Sequence, residues 1–530
     1  MNEFNPSLAQ LLSSVEQSIG AERALELTQY LGAQPPPVDS GAPPDVGRAS
    51  SSKRIVIVGA GVAGLVLAYE LVQRGADVEL WEASERPGGR NLTVRPGDVI
   101  AEKGHPEQEC RLPEGSYFNA GPGRISHQHR AVLHYCKKFK LSLRPYLTLN
   151  RSALLHRWLP EVDKDVVVRN RQVQFDGQGR IGELAARLGP WFDPHSPASP
   201  ELEQGLQDWL HDQFDVFKTE QGVWQYRAGG RQGYARPRGA AGEPGETERP
   251  LTLEQILGLR LWYDDPRRSP DVIDEQLSMF ELEGGNDGLI HALSKELKGR
   301  LRLGRRLTRL VRLEGGEVRL HGVDSASGHE IETTVDRVVL ALQPQAMEGM
   351  ELDLPKERLE GLRSIPQRSA VKVGGWMQRR FWEEDLAIYG GISFTNLPNQ
   401  QVWYPNDGFH DSAGGLLVMA YAALDHGKAL GNLSPQERCA AAVAMAERIH
   451  PQIRKELDPS TLLTIAWQNM PHIKSPWVAW TPDQYQKWFR VLTEPCGSVA
   501  FAGDWCSHLP AWQEGAIRSA YALLPWSLDD

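Results

Sequence analysis

The chain contains few cysteines, and they lie far apart. Five occur among 530 residues. An odd number of widely spaced cysteines forms neither a disulfide framework nor a zinc-binding pattern. We therefore expect no metal site and a reducing, cytoplasmic environment. The cysteines are Cys110, Cys136, Cys439, Cys496 and Cys506.

No hydrophobic run in the sequence is long and uninterrupted enough to suggest a membrane span. The most apolar stretch, residues 55–72, contains Gly59, Gly61, Gly64 and Glu70, so it fits a strand, a turn and a helix. The first residues carry neither a basic block nor an apolar block, and a secretory signal is therefore not expected. The prediction is a protein without a membrane partner.

An excess of positive charge is also missing. The formal net charge is −10 at pH 7, whereas general nucleic-acid binding needs a clustered basic face, so we expect no nucleic-acid partner. Net charge describes the surface, and a buried pocket for a cationic substrate is compatible with it. Apolar residues make up 41% of the 530 residues, which is enough for large cores and predicts two or three domains.

A glycine-rich turn lies between an apolar segment, Arg54–Val58, and a helical pattern that runs from Gly64 to about Arg74. The turn has the spacing G-x-G-x-x-G. In a dinucleotide-binding turn, Gly59 permits the tight bend, Gly61 lets the backbone approach a pyrophosphate, and Gly64 lets helix and strand pack closely. The segment therefore predicts a phosphate-binding strand, turn and helix.

The next short β-type run, Asp77–Trp81, is followed by an acid, Glu82. Glu82 can accept hydrogen bonds from a ribose diol, and Ala83 follows it at the same strand end. The alternative is a glycine-rich turn in a fold with no ligand. That alternative does not explain why strand, turn, helix and acid occur in the required order.

A second glycine doublet follows the acid, at Gly88 and Gly89, between Arg86 and Arg90. This run resembles the dinucleotide-binding extension of the flavin amine oxidase family, in which a Gly-Gly-Arg element contacts the pyrophosphate. NAD-dependent domains do not usually carry it. The resemblance implies that the cofactor is FAD and that Arg90 contacts its phosphates, a role that suits a planar guanidinium.

The C-terminal part resembles the same family. An apolar segment from Ser498 ends at Gly503 and Asp504, and the segment Gln513–Ile517 opens a helix that runs to about Leu524. By resemblance, Asp504 bonds the ribityl or phosphate part of FAD, and the amides near the helix start face the N1–C2=O edge of the flavin. A helix N-terminus stabilises negative charge there. The alternative is an ordinary strand-to-helix connection.

Two central segments complete the match, which covers about residues 53–524. Glu281–Leu289 resembles the family's re-entry into the cofactor domain, and Leu307 falls at the strand position whose backbone contacts adenine in relatives. The residues expected to bind FAD are Gly59, Ala60, Gly61, Gly64, Glu82, Ala83, Gly89, Arg90, Gly121, Pro122, Gly123, Arg124, Leu307, Trp467, Gly503, Asp504, Gln513, Ala516 and Ile517.

Because cofactor elements occur at both ends and in the middle of the chain, the domains must be discontinuous. The predicted fold is α/β: a discontinuous Rossmann-like FAD-binding domain with an α+β substrate-binding domain and a helical insertion. We also expect mostly helix over 181–282, apart from a surface loop at 231–250. The predicted segments are an N-terminal helical piece 1–33, a linker 34–53, FAD-binding segments 54–150, 281–365 and 491–530, and substrate segments 151–280 and 366–490.

The loop Asn119–Ile125 bears on the substrate. It resembles the loop of L-amino acid oxidases in which an arginine pairs with the substrate carboxylate, an arginine that oxidases of plain amines lack. A stiff Gly-Pro-Gly segment can fix Arg124 near the flavin, and a carboxylate is its bidentate partner. The alternative is that Arg124 contacts the flavin or another loop. His127 and His129 are interpreted as structural or exposed, because two histidines alone make no metal site.

Further substrate contacts follow from the same resemblance. A tyrosine at the position of Tyr421, in the strand-like run Leu416–Tyr421, bonds the other carboxylate oxygen in relatives; a core tyrosine is the alternative. Lys372 resembles the catalytic lysine that contacts flavin N5 through a water; a lysine that reaches solvent is the alternative. Trp512 is a third substrate contact, and Trp467 with Trp403 or Tyr404 are pocket walls.

The resemblance implies FAD-dependent oxidative deamination of an L-amino acid by O₂, with release of an α-keto acid, ammonia and H₂O₂, by a homodimer. No histidine can be assigned as a base for the substrate amine. Three alternatives stay open: an amide-forming amino acid 2-monooxygenase, an amine or polyamine oxidase, against which Arg124 argues, and a non-catalytic flavin-binding scaffold. Aromatic and cationic substrate side chains both suit an aromatic pocket.

Overall fold

The computed structural model describes residues 39–49, 53–187, 200–236, 242–261 and 278–529. These residues form two compact units, one within Val168–Tyr263 and one made of Asp39–Val167 and Asp264–Asp530. The predicted N-terminal helical piece, 1–33, lies outside the described residues, as do residues 34–38 and 50–52 of the predicted linker. No helix among the described residues is long and apolar enough to cross a membrane.

The larger unit contains a five-stranded parallel sheet. Its first strand is buried on both faces, which is why it reads as a continuous apolar run in the sequence. The predicted strands Arg54–Val58 and Asp77–Trp81 are confirmed with these bounds. In spatial order the strands are Leu301–Arg302, Asp77–Trp81, Arg54–Val58, Arg337–Leu340 and Val499–Phe501.

The register of this sheet places the ends of its central strands at one edge. Val58 pairs with Trp81 and with Leu340, and Leu340 pairs with Phe501. Because all four strands are parallel, the residues that follow them share the carboxyl edge. This edge is where open parallel α/β sheets usually bind ligands.

Helix Val62–Gln73 connects the first two strands and is buried along most of its length. It packs against helices Gly288–Glu296 and Gln513–Leu528. The helix begins before the predicted Gly64, because the extended backbone of Gly61 (ψ −176°) serves as its N-cap. The two predicted cofactor helices, at the front and at the back of the chain, therefore lie side by side.

The same unit contains two larger antiparallel or mixed sheets. The predicted strand Leu416–Tyr421 lies within Gly415–Ala423. The seven-stranded sheet has the order Leu457–Ala466, Ala370–Met377, Gly415–Ala423, Gln401–Trp403, Ile392–Thr395, Leu154–Leu159 and Lys164–Arg169. The four-stranded sheet has the order Glu330–Val335, Val318–Asp324, Arg305–Arg312 and Glu351–Leu352.

Outside 231–250, the described part of the stretch 181–282 contains the end of helix Asn170–Arg187 and helices Pro200–Phe214 and Leu253–Gly258, with short strands between the last two. One prediction about this stretch needs correction. The predicted loop 231–250 contains a pair of strands, and Tyr234 pairs with Thr247, two residue types that favour strands. The two-stranded sheets among the described residues are Val99–Ile100 with Gln108–Glu109, Leu143–Leu147 with Ser278–Leu282, Val216–Lys218 with Trp224–Tyr226, and Tyr234–Arg236 with Glu246–Thr247.

The described α-helices cover both units. Short 3₁₀ turns occur at Pro160–Val162, Pro344–Met347, Trp467–Asn469 and Asp504–Cys506. The α-helices are Val62–Gln73, Arg130–Lys138, Asn170–Arg187, Pro200–Phe214, Leu253–Gly258, Gly288–Glu296, Lys356–Ser364, Phe381–Glu384, Leu424–Gly431, Pro435–Ile449, Ile453–Glu456, Pro482–Thr493 and Gln513–Leu528.

The described part of the predicted linker, residues 39–49, packs on the last helix. Asp39 forms an ion pair with Arg518, and the Tyr521 hydroxyl donates to the carbonyl of Gly41 at 3.1 Å. Gly41 has φ +73° and lies so close to Arg130 that a Cβ atom would clash with that backbone. These contacts use the backbone and one carboxylate, so an apolar sequence period could not have indicated them.

Candidate active site

A cavity of about 690 Å³ opens at the carboxyl edge of the parallel sheet, within the size range of cofactor and ligand sites. Most of the residues predicted to bind FAD or substrate line it. They are Gly59, Gly61, Glu82, Ala83, Gly89, Arg90, Gly121, Pro122, Leu307, Lys372, Tyr421, Trp467, Gly503, Asp504, Trp512, Gln513 and Ala516.

The three glycines of the first turn have different geometries. Gly59 has φ +103°, which other residues rarely adopt. A Cβ on Gly64 would lie 2.0 Å from the carbonyl oxygen of Gly59, so only glycine lets the helix approach the turn. A Cβ on Gly61 would meet no atom within 4 Å, because it would point into the open space of the cavity.

Glu82 is buried and fixes the turn from the second strand. Its carboxylate accepts hydrogen bonds from Ala60 N at 2.8 Å and from Ser84 N at 2.9 Å. Ala60 does not line the cavity. Its backbone hydrogen bond to Glu82 helps to fix the shape of the turn. Arg86, which sequence reasoning did not place in the site, also lines the cavity, and burial lowers the pKa of its guanidinium.

Arg90 and Asp504 were predicted to contact the cofactor separately, and the structure pairs them. The guanidinium forms an ion pair with the carboxylate and also donates to the carbonyl of Pro476 at 2.7 Å. Asp504 in turn accepts from Ala511 N at 2.8 Å. The pair joins the front and back cofactor motifs across the cavity.

The start of the last helix also faces the cavity. Gln513 donates from Nε2 to the Oδ1 atom of Asn91 at 2.9 Å, and both residues line the cavity. The buried Nδ2 atom of Asn91 has no hydrogen-bond partner among the residues that the structure describes. Ile517 is fully buried in the core and does not line the cavity.

Sequence reasoning missed several lining residues. Gln343 follows a strand of the parallel sheet, so its place at the carboxyl edge was a signal that could have identified it. The segment around His472 carries no recognisable motif, and its side chains reach the cavity from a long connection. The missed residues include Arg86, Asn91, Gln343, Arg306, His472, Lys474 and Trp477.

Lys372 lies on Ala370–Met377, the second strand from one edge of the seven-stranded sheet, and pairs in register with Tyr421. Only 4% of Lys372 is exposed. Its Nζ atom donates to the carbonyls of Asn119 at 2.9 Å and of Gly121 at 2.5 Å, both in the loop that carries Arg124. Burial, with a smaller contribution from the charge of Arg124, lowers the pKa of Lys372 to about 7.

Arg124 is half-buried between two tryptophans. Its guanidinium carbon lies 5.4 Å from the ring centre of Trp403 and 5.8 Å from that of Trp512, distances at which cations are attracted to aromatic faces. The Nζ atom of Lys372 lies 4.9 Å from the ring centre of Trp403. Trp403 thus contacts both cations. Gly123 allows this arrangement, because a Cβ there would lie 2.6 Å from the indole.

Arg124 and Gly123 do not line the 690 Å³ cavity themselves. Trp512 and Tyr421 connect them to it, since both line the cavity and Tyr421 packs edge-on against Trp403 with ring centres 5.0 Å apart. Trp467 also lines the cavity and donates from Nε1 to the carbonyl of Ala120 at 3.2 Å.

His129 was interpreted as structural or exposed, and the structure shows that it is buried, with 1% exposed. Its Nδ1 atom accepts from Ser126 N at 3.2 Å, and its ring packs edge-on against Trp512. Burial, followed by the charges of Arg124 and His127, lowers the pKa of His129 to about 4, so the imidazole is neutral at pH 7. The described residues contain no group of three potential metal ligands.

A parallel sheet whose carboxyl edge holds a glycine-rich turn, an acid after the second strand and two arginines defines a dinucleotide-binding protein. Residues 62–522 match the family of flavin containing amine oxidoreductases. The chain belongs to this family, and its cofactor is FAD.

Relatives in the family include L-amino-acid oxidases. The chain is 26% identical over 481 residues to that of Bothrops atrox, covering 89% of this chain and 87% of the relative. It is 26% identical over 483 residues to that of Pseudechis australis, covering 89% and 86%. The chain is thus a flavin-dependent amine oxidoreductase of mixed α/β fold.

Solved structures of two amine oxidases share the fold. Putrescine oxidase with bound putrescine superposes with a TM-score of 0.56 at 18% identity, covering 89% of this chain and 97% of the other. Cyclohexylamine oxidase from Brevibacterium oxydans gives 0.57 at 16% identity, covering 90% and 99%. At these identities the likeness concerns the fold alone.

The cavity residues fit FAD. Gly61 leaves room for close approach of a phosphate, and Arg86 and Arg90 supply positive charge beside it. Glu82 stands at the end of the second strand, where a ribose diol would donate to it. The buried donor Nδ2 of Asn91 lies at the start of the last helix, where an acceptor on the cofactor would satisfy it.

Proposed function

We propose that this protein oxidises the α-amine of L-amino acids to α-keto acids, with release of ammonia and with O₂ reduced to H₂O₂. One observation carries the proposal. Arg124 lies between Trp403 and Trp512 beside the cavity wall, on a loop whose carbonyls accept hydrogen bonds from Lys372 and in which Gly123 leaves room for Trp403. A guanidinium in this position is suited to a substrate carboxylate, whereas a plain amine offers it no anionic acceptor.

The fold supports the proposal that FAD occupies a discontinuous Rossmann-like domain. The parallel sheet takes its strands from the segments proposed for that domain, 54–150, 281–365 and 491–530. The seven-stranded sheet takes most of its strands from the proposed substrate segment 366–490. The roles assigned to the site residues in the sequence analysis belong to the same proposal.

In this proposal each side chain has a stated task. Arg124 binds the substrate carboxylate, and the Tyr421 hydroxyl donates to its other oxygen, so that Cα–H is held towards the flavin. FAD, held by the glycine-rich turn and the start of the last helix, would supply the acceptor for a hydride from Cα and would return the two electrons to O₂. Water would then hydrolyse the resulting imino acid to the α-keto acid and ammonia. The site is surrounded by three tryptophans, Trp512, Trp467 and Trp403. They exclude water, and this strengthens the guanidinium–carboxylate pair.

Lys372 can hold or release a proton at Nζ near neutral pH, because its pKa is about 7. Its hydrogen bonds to the Asn119 and Gly121 carbonyls also keep the Arg124 loop in place. We propose that it places a positive charge beside the flavin when protonated. Kinetics can distinguish this role from the loop contacts, because the charge is expected to affect reoxidation of the flavin more than its reduction by substrate.

A screen of the standard L-amino acids and of the amines made by removing their carboxyl groups, with each product identified, tests the proposal. Peroxide, keto acid and ammonia in a 1:1:1 ratio support an oxidase. Formation of an amide with one carbon fewer identifies the monooxygenase alternative, and turnover restricted to carboxyl-free amines identifies an amine oxidase. Bound FAD without turnover of any of these substrates would leave the scaffold alternative.

A further inference from the structure

Glu514 is a buried carboxylate that does not face the cavity. It lies in the first turn of helix Gln513–Leu528, and only 4% of it is exposed. Its oxygens accept hydrogen bonds from Ala131 N at 3.1 Å and from Val132 N at 3.0 Å. Both amides belong to the first turn of another helix, Arg130–Lys138.

These amides are among the donors that a helix leaves unsatisfied at its start. The N-cap residue of the helix, His129, supplies no side-chain cap. Glu514 takes over that task from a distant part of the sequence, and its negative charge suits the positive end of the helix. Arg518 Nε donates to Glu514 at 2.8 Å and balances its charge.

The capped helix follows closely on the Arg124 loop, and the connection between them is tightly held. Ile125 exchanges backbone hydrogen bonds with Phe280, at 2.6 and 2.7 Å. Ser126 N donates to the imidazole of His129, which directly precedes the helix. The His129 contact therefore links the start of the helix to the connection that follows Arg124, and the Phe280 bonds hold that connection in place.

The helix of Glu514 also carries the other side of the site. Trp512, its N-cap residue, lies 5.8 Å from the Arg124 guanidinium and lines the cavity, as does Gln513. His129 packs on the same indole with ring centres 4.8 Å apart. Glu514 therefore joins two elements that meet at Arg124: the helix that faces the cofactor and the loop that bears the guanidinium.

We propose that Glu514 is a positioning residue that sets the distance of Arg124 from the cofactor helix, and through it the affinity for the substrate carboxylate. The proposal rests on the proposed function, in which Arg124 anchors that carboxylate. Glu514 touches neither substrate nor flavin, so its removal should change substrate binding through Arg124 and leave FAD bound.

The test is a double-mutant cycle between Glu514→Ala and Arg124→Met. We expect Glu514→Ala to raise KM for an L-amino acid about tenfold or more, since small misplacements in a site are costly, while the Kd for FAD stays within about twofold. In the Arg124→Met background the same change should leave KM nearly unaltered, because coupled residues are not additive. Glu514→Gln, which keeps one carbonyl acceptor, should lie between Glu514→Ala and the wild type.

A matched control is Asp176→Asn, which alters a buried carboxylate that accepts from Leu251 N at 2.7 Å outside the cavity. It should lower the Tm without changing KM. Three results would overturn the proposal for Glu514: an equal rise in KM in both Arg124 backgrounds, loss of FAD, or an unchanged KM in Glu514→Ala. If the wild type still turns over amino acids, the proposed function stands in each of these cases. A wild type that turns over only plain amines would reject both.

Discussion

A buried lysine and a half-buried arginine share one aromatic ring in this site. Arg124 and Lys372 both lie over or beside Trp403, and the charge of Arg124 helps to lower the pKa of Lys372 to about 7. A bound carboxylate would relieve this repulsion, because it would neutralise the guanidinium locally. The arrangement therefore favours a ligand that brings a negative charge to the Arg124 side.

Replacement of Arg124 tests this at the level of a single residue. Loss of one partner of a desolvated charged pair costs about 2–5 kcal/mol, roughly 30-fold to several thousand-fold in binding. Arg124→Met is expected to raise KM for L-amino acids in this range and to leave the spectrum of bound FAD intact. Arg124→Lys should rescue only in part, because an ammonium offers no fork. A kinetically silent Arg124→Met would contradict the assignment.

Replacement of Lys372 tests its charge. Since the pKa is about 7, Nζ is mostly protonated at pH 6 and mostly neutral at pH 8. If the ammonium favours electron transfer to O₂, reoxidation should slow as the pH rises through 7. In Lys372→Met, reoxidation should be slow and lose this pH dependence, whereas anaerobic reduction should change less. Stopped-flow measurement of the two half-reactions decides; equal slowing of both would assign Lys372 to the loop alone.

Most of the residues predicted for the site line the cavity, but many other lining residues and the contacts among all of them were not predictable from the sequence. Arg90 and Asp504 belong to two separate motifs, and nothing in either motif indicates that they pair. The burial of His129 and the capping by Glu514 depend in the same way on segments that meet only after folding. Local patterns predict the chemistry of a residue, whereas its partner is set by the tertiary fold.

At the scale of elements, the glycine-rich turn brings the backbone to the cavity. Gly59 and Gly64 allow helix Val62–Gln73 to start against the end of the first strand, and Gly61 leaves the space in front of it open. The helix N-terminus then presents unpaired amides and its positive end to the cavity. The N-terminus of helix Gln513–Leu528 also faces the cavity.

Gly61→Val tests the turn as a phosphate site. The φ of Gly61 is −73°, so valine fits the backbone, and its side chain would extend into the cavity. We expect loss of FAD binding with little change in the Tm of the FAD-free protein. Gly315→Val, another glycine with open space at Cβ but outside the cavity lining, is the control and should retain FAD. If Gly61→Val keeps its full FAD content, the assignment of this turn as a phosphate-binding site is contradicted.

Elements with a strong period were predicted best. Arg54–Val58 is a nearly continuous apolar run, and Asp77–Trp81 alternates charged with apolar residues; both patterns predict strands, and both strands have the observed bounds. The pair Tyr234–Arg236 and Glu246–Thr247 was missed, because glycine and proline around it suggested a loop. Short strands that depend on pairing leave little trace in the local sequence.

At the scale of the whole molecule, the parallel sheet draws its strands from segments that are far apart in the chain. The cavity at its edge is complete only when the front, central and back segments have come together. FAD bound there should contact all of them and stabilise the folded chain as a ligand does.

The flavin should be held without a covalent bond. Among the described residues that line the cavity there is no cysteine, and the histidine is His472, whose neighbour is Glu82 at the proposed ribose end. Acid precipitation should therefore release FAD into the supernatant of a yellow protein. Flavin that stays in the pellet would indicate a covalent link, and a colourless protein that FAD cannot reconstitute would contradict the assigned cofactor site.

The most direct measurement compares the wild-type kcat/KM for an L-amino acid with that for the amine made by removing its carboxyl group. The two substrates differ only in the group that Arg124 is proposed to bind, and the amine would leave the guanidinium beside Trp403 and Trp512 without its ligand. We expect the amino acid to be preferred about 30-fold or more. Equal values, or a preference for the amine, would contradict the proposal that the protein is an L-amino acid oxidase.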